Sequence, residues 1–149
     1  MPGPINYGKF IISSGTIPAG SDAAKLFPVF SAPGVPVKIE FFQYYGGDAG
    51  EFNQLILVPP TIVIDGTTGT ADHPGTIAIT PPEYMSGATW SQAKPGTLGA
   101  DNGGRGTSWW GGFIVPANYQ VAIQSDTSPS AAIECTIGGF EVSGHQSYR

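Results

Sequence analysis

Val35-Pro36-Val37-Lys38-Ile39-Glu40-Phe41-Phe42 alternates apolar residues with proline, lysine and glutamate at a period of two. Successive side chains of a strand point to opposite faces, so this period describes a strand with one buried face. Val35, Val37, Ile39 and Phe41 are therefore expected inward. Phe42 breaks the pattern, an aromatic ring at a position assigned to solvent. The same period returns at Thr76–Thr80 around Ile77 and Ile79, and at Tyr119–Gln124 around Val121 and Ile123. Further strands are expected at 9–14, 53–58, 61–65, 109–115, 131–137 and 140–143. No window of helical length escapes Gly or Pro. The chain thus reads as all-β: an antiparallel β-sandwich, jelly-roll-like, of about nine short strands with an extended N-terminal arm.

The punctuation between strands has its own logic. Tyr45-Gly46-Gly47-Asp48-Ala49-Gly50 supplies residues tolerant of positive φ between two aromatic-rich strands. Gly138-Gly139 reads as the two-residue turn of a hairpin joining the last two strands. Residues from about 80 to 106 carry Pro81-Pro82, Pro95-Gly96 and Asn102-Gly103-Gly104, and read as one long loop; loops of that length are often functional. The organisation expected is an arm over residues 1–8 and a single sandwich domain over residues 9–149.

Composition narrows the function classes. Only 11% of residues are charged, whereas Gly (22) and Pro (14) together approach a quarter of 149 residues. Soluble domains usually hold about 25% charged residues. A weakly charged exterior suits a protein that packs against other proteins, because charges are depleted where interfaces are desolvated. The net charge of −5 and a pI near 4.7 disfavour nucleic acid, which needs Lys and Arg to replace phosphate counterions. No basic-then-apolar leader opens the chain, and the aliphatic run Leu55–Val58 stops at Pro59-Pro60, so no membrane span is expected. The single cysteine, Cys135, falls on the apolar parity of Ala131, Ile133 and Ile137 and is expected to be an inert core thiol.

No catalytic constellation emerges. Ile64-Asp65-Gly66-Thr67 reverses the order of an aspartic-protease motif and reads as a turn. Gly99–Gly106 lacks the Lys, hydroxyl and following helix of a phosphate loop. His73 and His145 show no ligand spacing, and Asp65 and Asp72 lack the oxygen-rich spacing of a calcium loop. The expectation is a chain that is not an enzyme, with no cofactor and no metal.

The strongest functional signal is aromatic. Trp109-Trp110 stands between Thr107-Ser108 and Gly111-Gly112. In an extended segment one indole enters the core and the other leaves it, available to a protein interface or to a sugar ring. With Phe42, and with Pro2, Pro4 and Tyr7 of the arm, these residues form the candidate interface set.

The arm Met1–Gly8, the step Ile17-Pro18-Ala19-Gly20 and the closing block from Val115-Pro116-Ala117-Asn118 to Val142 resemble small β-sandwich structural proteins of tailed bacteriophages, the capsid decoration or cement type. The likeness is one of style over most of the chain, with no diagnostic motif. It implies a virion structural protein on the capsid surface, assembled in the host cytoplasm, that binds capsid protein and copies of itself. Subunits of that group commonly form trimers and are not enzymes. The alternative is a carbohydrate-binding or receptor-binding module whose glycan would lie against the Trp pair and the long loop.

Overall fold

The computed structural model describes residues 6–46, 53–79 and 106–143, and for residues 6, 7, 44, 45, 106–112 and 143 the backbone alone. Eight strands are found among the described residues: β1 (Asn6–Ile17), β2 (Phe27–Ser31), β3 (Val37–Gly46), β4 (Asn53–Val58), β5 (Ile77–Ala78), β6 (Gly106–Val115), β7 (Gln120–Ser125) and β8 (Ile133–Ser143). Among the described residues there is no α-helix, only one 3-10 turn at Thr70–Asp72. The strands form two four-stranded antiparallel sheets, ordered β1-β8-β3-β6 and β2-β7-β4-β5. The chain is therefore an all-β sandwich, as its alternation predicts. The first strand pairs with the last, the second with the seventh, the third with the sixth and the fourth with the fifth. That nesting is what one long hairpin gives when it is rolled over itself, with β3·β8 and β4·β7 sealing each sheet.

The core lies between the sheets. Ile17, Val37, Ile39, Phe42, Ile133, Cys135 and Ile137 from one sheet meet Val29, Phe30, Leu55, Val121 and Ile123 from the other. Cys135 is buried, as its parity requires, and burial pushes its thiol far above the usual range. It is expected to resist thiol reagents in the native protein and to react within minutes once unfolded. A fast native reaction in a dithionitrobenzoate assay would contradict this placement.

The two outer faces are treated differently. On the sheet containing β4 and β7, Ile56, Val58 and Ala122 face outward and are capped by Leu26, Ile62 and Ile64, forming a second small core. Gln120 holds that cap down, its Nε2 donating to the carbonyls of Pro59 (3.0 Å) and Ile62 (2.8 Å). Gly66 N donates to Leu26 O and Leu26 N to Thr68 O. This explains the uninterrupted Leu55-Ile56-Leu57-Val58, which is flanked by apolar groups on both sides. It also corrects the expected strand at 61–65. That segment's alternation is real burial, but on a coil laid across β4 and β7 rather than in a sheet.

Three further readings are corrected. β2 was not expected, being five residues long and interrupted by Pro28. It is tolerated because β2 is a sheet edge, where proline's missing N–H leaves no ladder bond unmade. The predicted hairpin at Gly138-Gly139 does not exist, since β8 runs unbroken through both glycines. Phe42 does not face solvent: it is only 1% exposed and sits in the core. The last two corrections share one cause. Ile39 and Phe41 of β3 oppose the consecutive residues Gly139 and Gly138 of β8, so Glu40 is an extra residue, a β-bulge. Beyond it the phase of β3 is inverted, turning Phe41 outward and Phe42 inward.

Candidate functional site

The inverted phase assembles a surface that the sequence did not advertise. Across β1-β8-β3-β6 the register aligns Phe10, Phe140, Lys38 and Ile114 in one row, and Ile12, Gly138 and Phe41 in the next. All lie on the face opposite the core. Phe10 (48% exposed), Ile12 (59%) and Ile114 (55%) are large apolar groups standing in solvent. Phe10 and Phe140 are directly opposite, their ring centroids 5.1 Å apart and tilted by 56°, a favourable cross-strand aromatic pair. Phe41 lies over Gly138, where a Cβ would meet its ring at 2.5 Å, so the missing side chain is replaced by an aromatic plate.

Within the apolar rows charge enters at one point, and Glu134 adds an exposed carboxylate at the far end of the face. Lys38 Nζ lies 3.2 Å from Glu40 Oε2, both side chains about one-third exposed. Below the apolar rows the face turns polar, with Ser14 and Thr136 hydroxyls 3.1 Å apart and Gln43 beside them in register. Among the described residues nothing covers this face, in contrast to its counterpart on the other sheet. Beside it, along the free edge of β1, runs an open groove of about 470 Å³ between Ile11, Phe30, Pro33 and Glu141.

The described residues offer no competing chemical centre. No cluster of three metal-ligating side chains occurs among them, and no helix is long and apolar enough to cross a membrane. Asp65 accepts from Thr67 N (3.0 Å) and Thr67 Oγ1 (2.6 Å), which together hold its carboxyl below the usual range. Asp72 accepts from Gly69 N, and His73 Nε2 meets Thr68 Oγ1 at 2.9 Å. These groups serve their own turns.

Of the residues singled out from sequence, Pro2 and Pro4 lie outside the described residues, as does the long loop from Thr80 to Arg105. Tyr7 is in β1 opposite Val142; Trp109 and Trp110 are in β6 opposite Phe42 and Phe41. The side chains of these three lie outside the description. Phe42 belongs to the core. The residues missed are Phe10, Ile12, Phe41, Ile114 and Phe140. Their signal was apolar residues of both parities in Phe10-Ile11-Ile12, Phe41-Phe42 and Phe113-Ile114-Val115.

No family model and no curated protein matches the chain. Among solved structures it is similar to a chain of a cyanophage Pam1 capsid asymmetric unit, at 14% identity and a TM-score of 0.42, over 95% of this chain and 91% of that one. A likeness at that level adds nothing to the fold derived above.

Proposed function

We propose that this chain is a non-enzymatic virion structural protein, a decoration protein that binds and stabilises a capsid lattice as a homo-oligomer. The observation that carries this reading is the uncovered apolar face of β1-β8-β3-β6 on a chain with few charges. An apolar face rimmed by Ser, Thr and Gln is the anatomy of a protein interface. It offers neither the convergent polar groups of a small-molecule site nor the basic stripe of a nucleic-acid site. The nested strand pairing is the wiring of a jelly roll, an architecture used by viral capsid and lectin domains. Fold alone does not choose among those uses; the apolar face favours a protein partner over a sugar. Binding a shell only in its assembled form stabilises it by mass action. The edge of β1, with its groove, offers main-chain groups to which the residues ahead of β1 in a neighbour, 1–5 of the expected arm, add as an extended strand.

The test adds purified protein to shells of the parent virus that lack it, and reads occupancy and heat resistance. Phe10→Glu and Ile12→Glu should each weaken occupancy at least tenfold, since burying such a side chain contributes about 1.5–3 kcal/mol and each 1.4 kcal/mol is tenfold. Deleting residues 1–5, the part of the expected arm ahead of β1, should weaken it while leaving the sandwich folded. Undiminished occupancy by both charge variants would overturn the proposal.

A further inference from the structure

We infer that the outer edge of β1 is closed by a second copy of this chain: two copies exchange residues 1–5 reciprocally, each arm antiparallel to the other's β1, about a two-fold axis normal to the sheet at Asn6. This inference rests on the reading of the arm as an added strand and supplies its register, direction and symmetry.

Which main-chain groups of β1 are unclaimed follows from one bond. Val142 N donates to Pro36 O (2.9 Å), so Val142 turns its main chain away from β1. Main-chain groups alternate sides along a strand, so Phe140 and Gly138 also turn away and Gly139 turns toward β1. Ile11, opposite Gly139, is therefore bonded to β8. Phe10 and Ile12, opposite Phe140 and Gly138, aim N–H and C=O at the edge away from β8. The Phe10 and Phe140 rings, 5.1 Å apart, have the close approach of a non-bonded pair. No described residue takes up the edge groups of Phe10 and Ile12.

Met1-Pro2-Gly3-Pro4-Ile5 fits that edge in one phase. Pro2 and Pro4 have no N–H and must stand where the main chain points outward, which sets Met1, Gly3 and Ile5 against β1. Opposite residues share a face. With Gly3 opposite Phe10 and Met1 opposite Ile12, Pro2 falls opposite Ile11, in the groove with Phe30 and Pro33. Gly3 beside the Phe10 ring repeats Gly138 beside Phe41. Met1 and Gly3 each precede a proline, which biases them to extended backbone and lowers the cost of ordering the arm.

Direction follows from β2. A parallel arm would carry its donor past Ser13 and Gly15, where Ser13 Oγ donates to Val29 O (2.7 Å) and Gly15 lies against Pro28. An antiparallel arm leads the donor clear. The bulge at Gly8-Lys9 absorbs one residue between Tyr7 and Phe10. Counting on from Gly3 opposite Phe10 then brings Ile5 opposite Tyr7 and Asn6 opposite Asn6, so both arms seat together. The chain's own arm does not reach. Asn6 and Tyr7 are held extended against Ser143 and Val142, so residues 1–5 folded back would lie beside Asn6–Gly8, short of Phe10 and Ile12. About this axis both outer faces look the same way, toward one lattice, and neither is covered.

The experiment joins sedimentation equilibrium to disulfide trapping, on the purified full chain without capsids. Wild type is expected to dimerise. Gly3→Pro removes an N–H aimed at Phe10 in both arms and should dimerise at least tenfold more weakly. Residue 3 lies ahead of β1, so the sandwich itself is untouched. Mutually bonded residues stand about 5.5 Å apart at Cα, within disulfide reach, and Cys135 is buried. Gly3→Cys with Phe10→Cys should oxidise to a covalent dimer; Pro2→Cys with Phe10→Cys, one step out of phase, should do so at least tenfold more slowly. A wild-type monomer at about 1 mM, a trimer, a cross-link within one chain, or trapping indifferent to phase would overturn the inference. A monomer that still saturates viral shells removes the exchange and leaves the capsid reading standing; a trapped dimer that ignores every shell does the reverse.

Discussion

Phe42→Ala is expected to cost about 4 kcal/mol of folding free energy, within the range of about 3–5 kcal/mol for deleting a buried phenyl ring. Phe41→Ala, one residue away, should cost about 1 kcal/mol, because only part of that ring is removed from water. The difference follows from the Glu40 bulge, which leaves Phe42 1% exposed among the core residues and Phe41 half-buried on the outer face. With native stability of about 5–15 kcal/mol, the first variant should lie near its unfolding limit and the second should not. In urea titration, at a slope of about 2 kcal/mol per molar, the midpoints should separate by about 1.5 M with unchanged slopes. Unbroken alternation through β3 makes the opposite prediction. If Phe41→Ala proves the more damaging, the register between β3 and β8 is misassigned, and with it the outer face.

How far the fold was legible can be traced in these same residues. Alternation along Val37-Lys38-Ile39 and Gln120–Ser125 names strands and their core-facing parity because one face of each sheet must exclude water, and the uninterrupted Leu55–Val58 names a strand covered on both faces. Turn chemistry was equally legible. Ile17-Pro18-Ala19-Gly20 and Val115-Pro116-Ala117-Asn118 look alike because each is a turn with positive φ at its fourth residue, Gly20 at 81° and Asn118 at 68°. Ser21 N donates to Pro18 O in one and Tyr119 N to Pro116 O in the other. What stayed hidden is information that belongs to pairs of distant strands. The bulge in β3 marks β3 only as the break of alternation at Phe41-Phe42, and its counterpart, the Gly138-Gly139 doublet, comes nearly a hundred residues later. Read locally, two glycines mean a turn. The outer face was hidden for the same reason. Apolar residues of both parities in three separate segments become a surface only when β1, β8, β3 and β6 are known to be neighbours, which the nested pairing decides.

Gly139→Ala should be, with substitutions at Gly15 and Gly46, among the most damaging small changes in the described sheets, costing about 3 kcal/mol or more. A Cβ there would fall on the carbonyl oxygen of Lys38 and lie 2.8 Å from Ile39 Cα, both backbone atoms of β3 that cannot yield without parting the two strands. Overpacking of a tight core typically costs about 1–3 kcal/mol, and backbone collisions belong at the upper end. Gly138→Ala meets only the Phe41 ring, which can swing aside, so its cost should be smaller. Gly34→Ala has nothing within 4 Å and should be neutral or slightly stabilising, through the reduced entropy of the unfolded chain. Neither Gly138 nor Gly139 has a positive φ, so strain at a left-handed turn is not the cause, and chemical denaturation of the three variants separates packing from turn geometry.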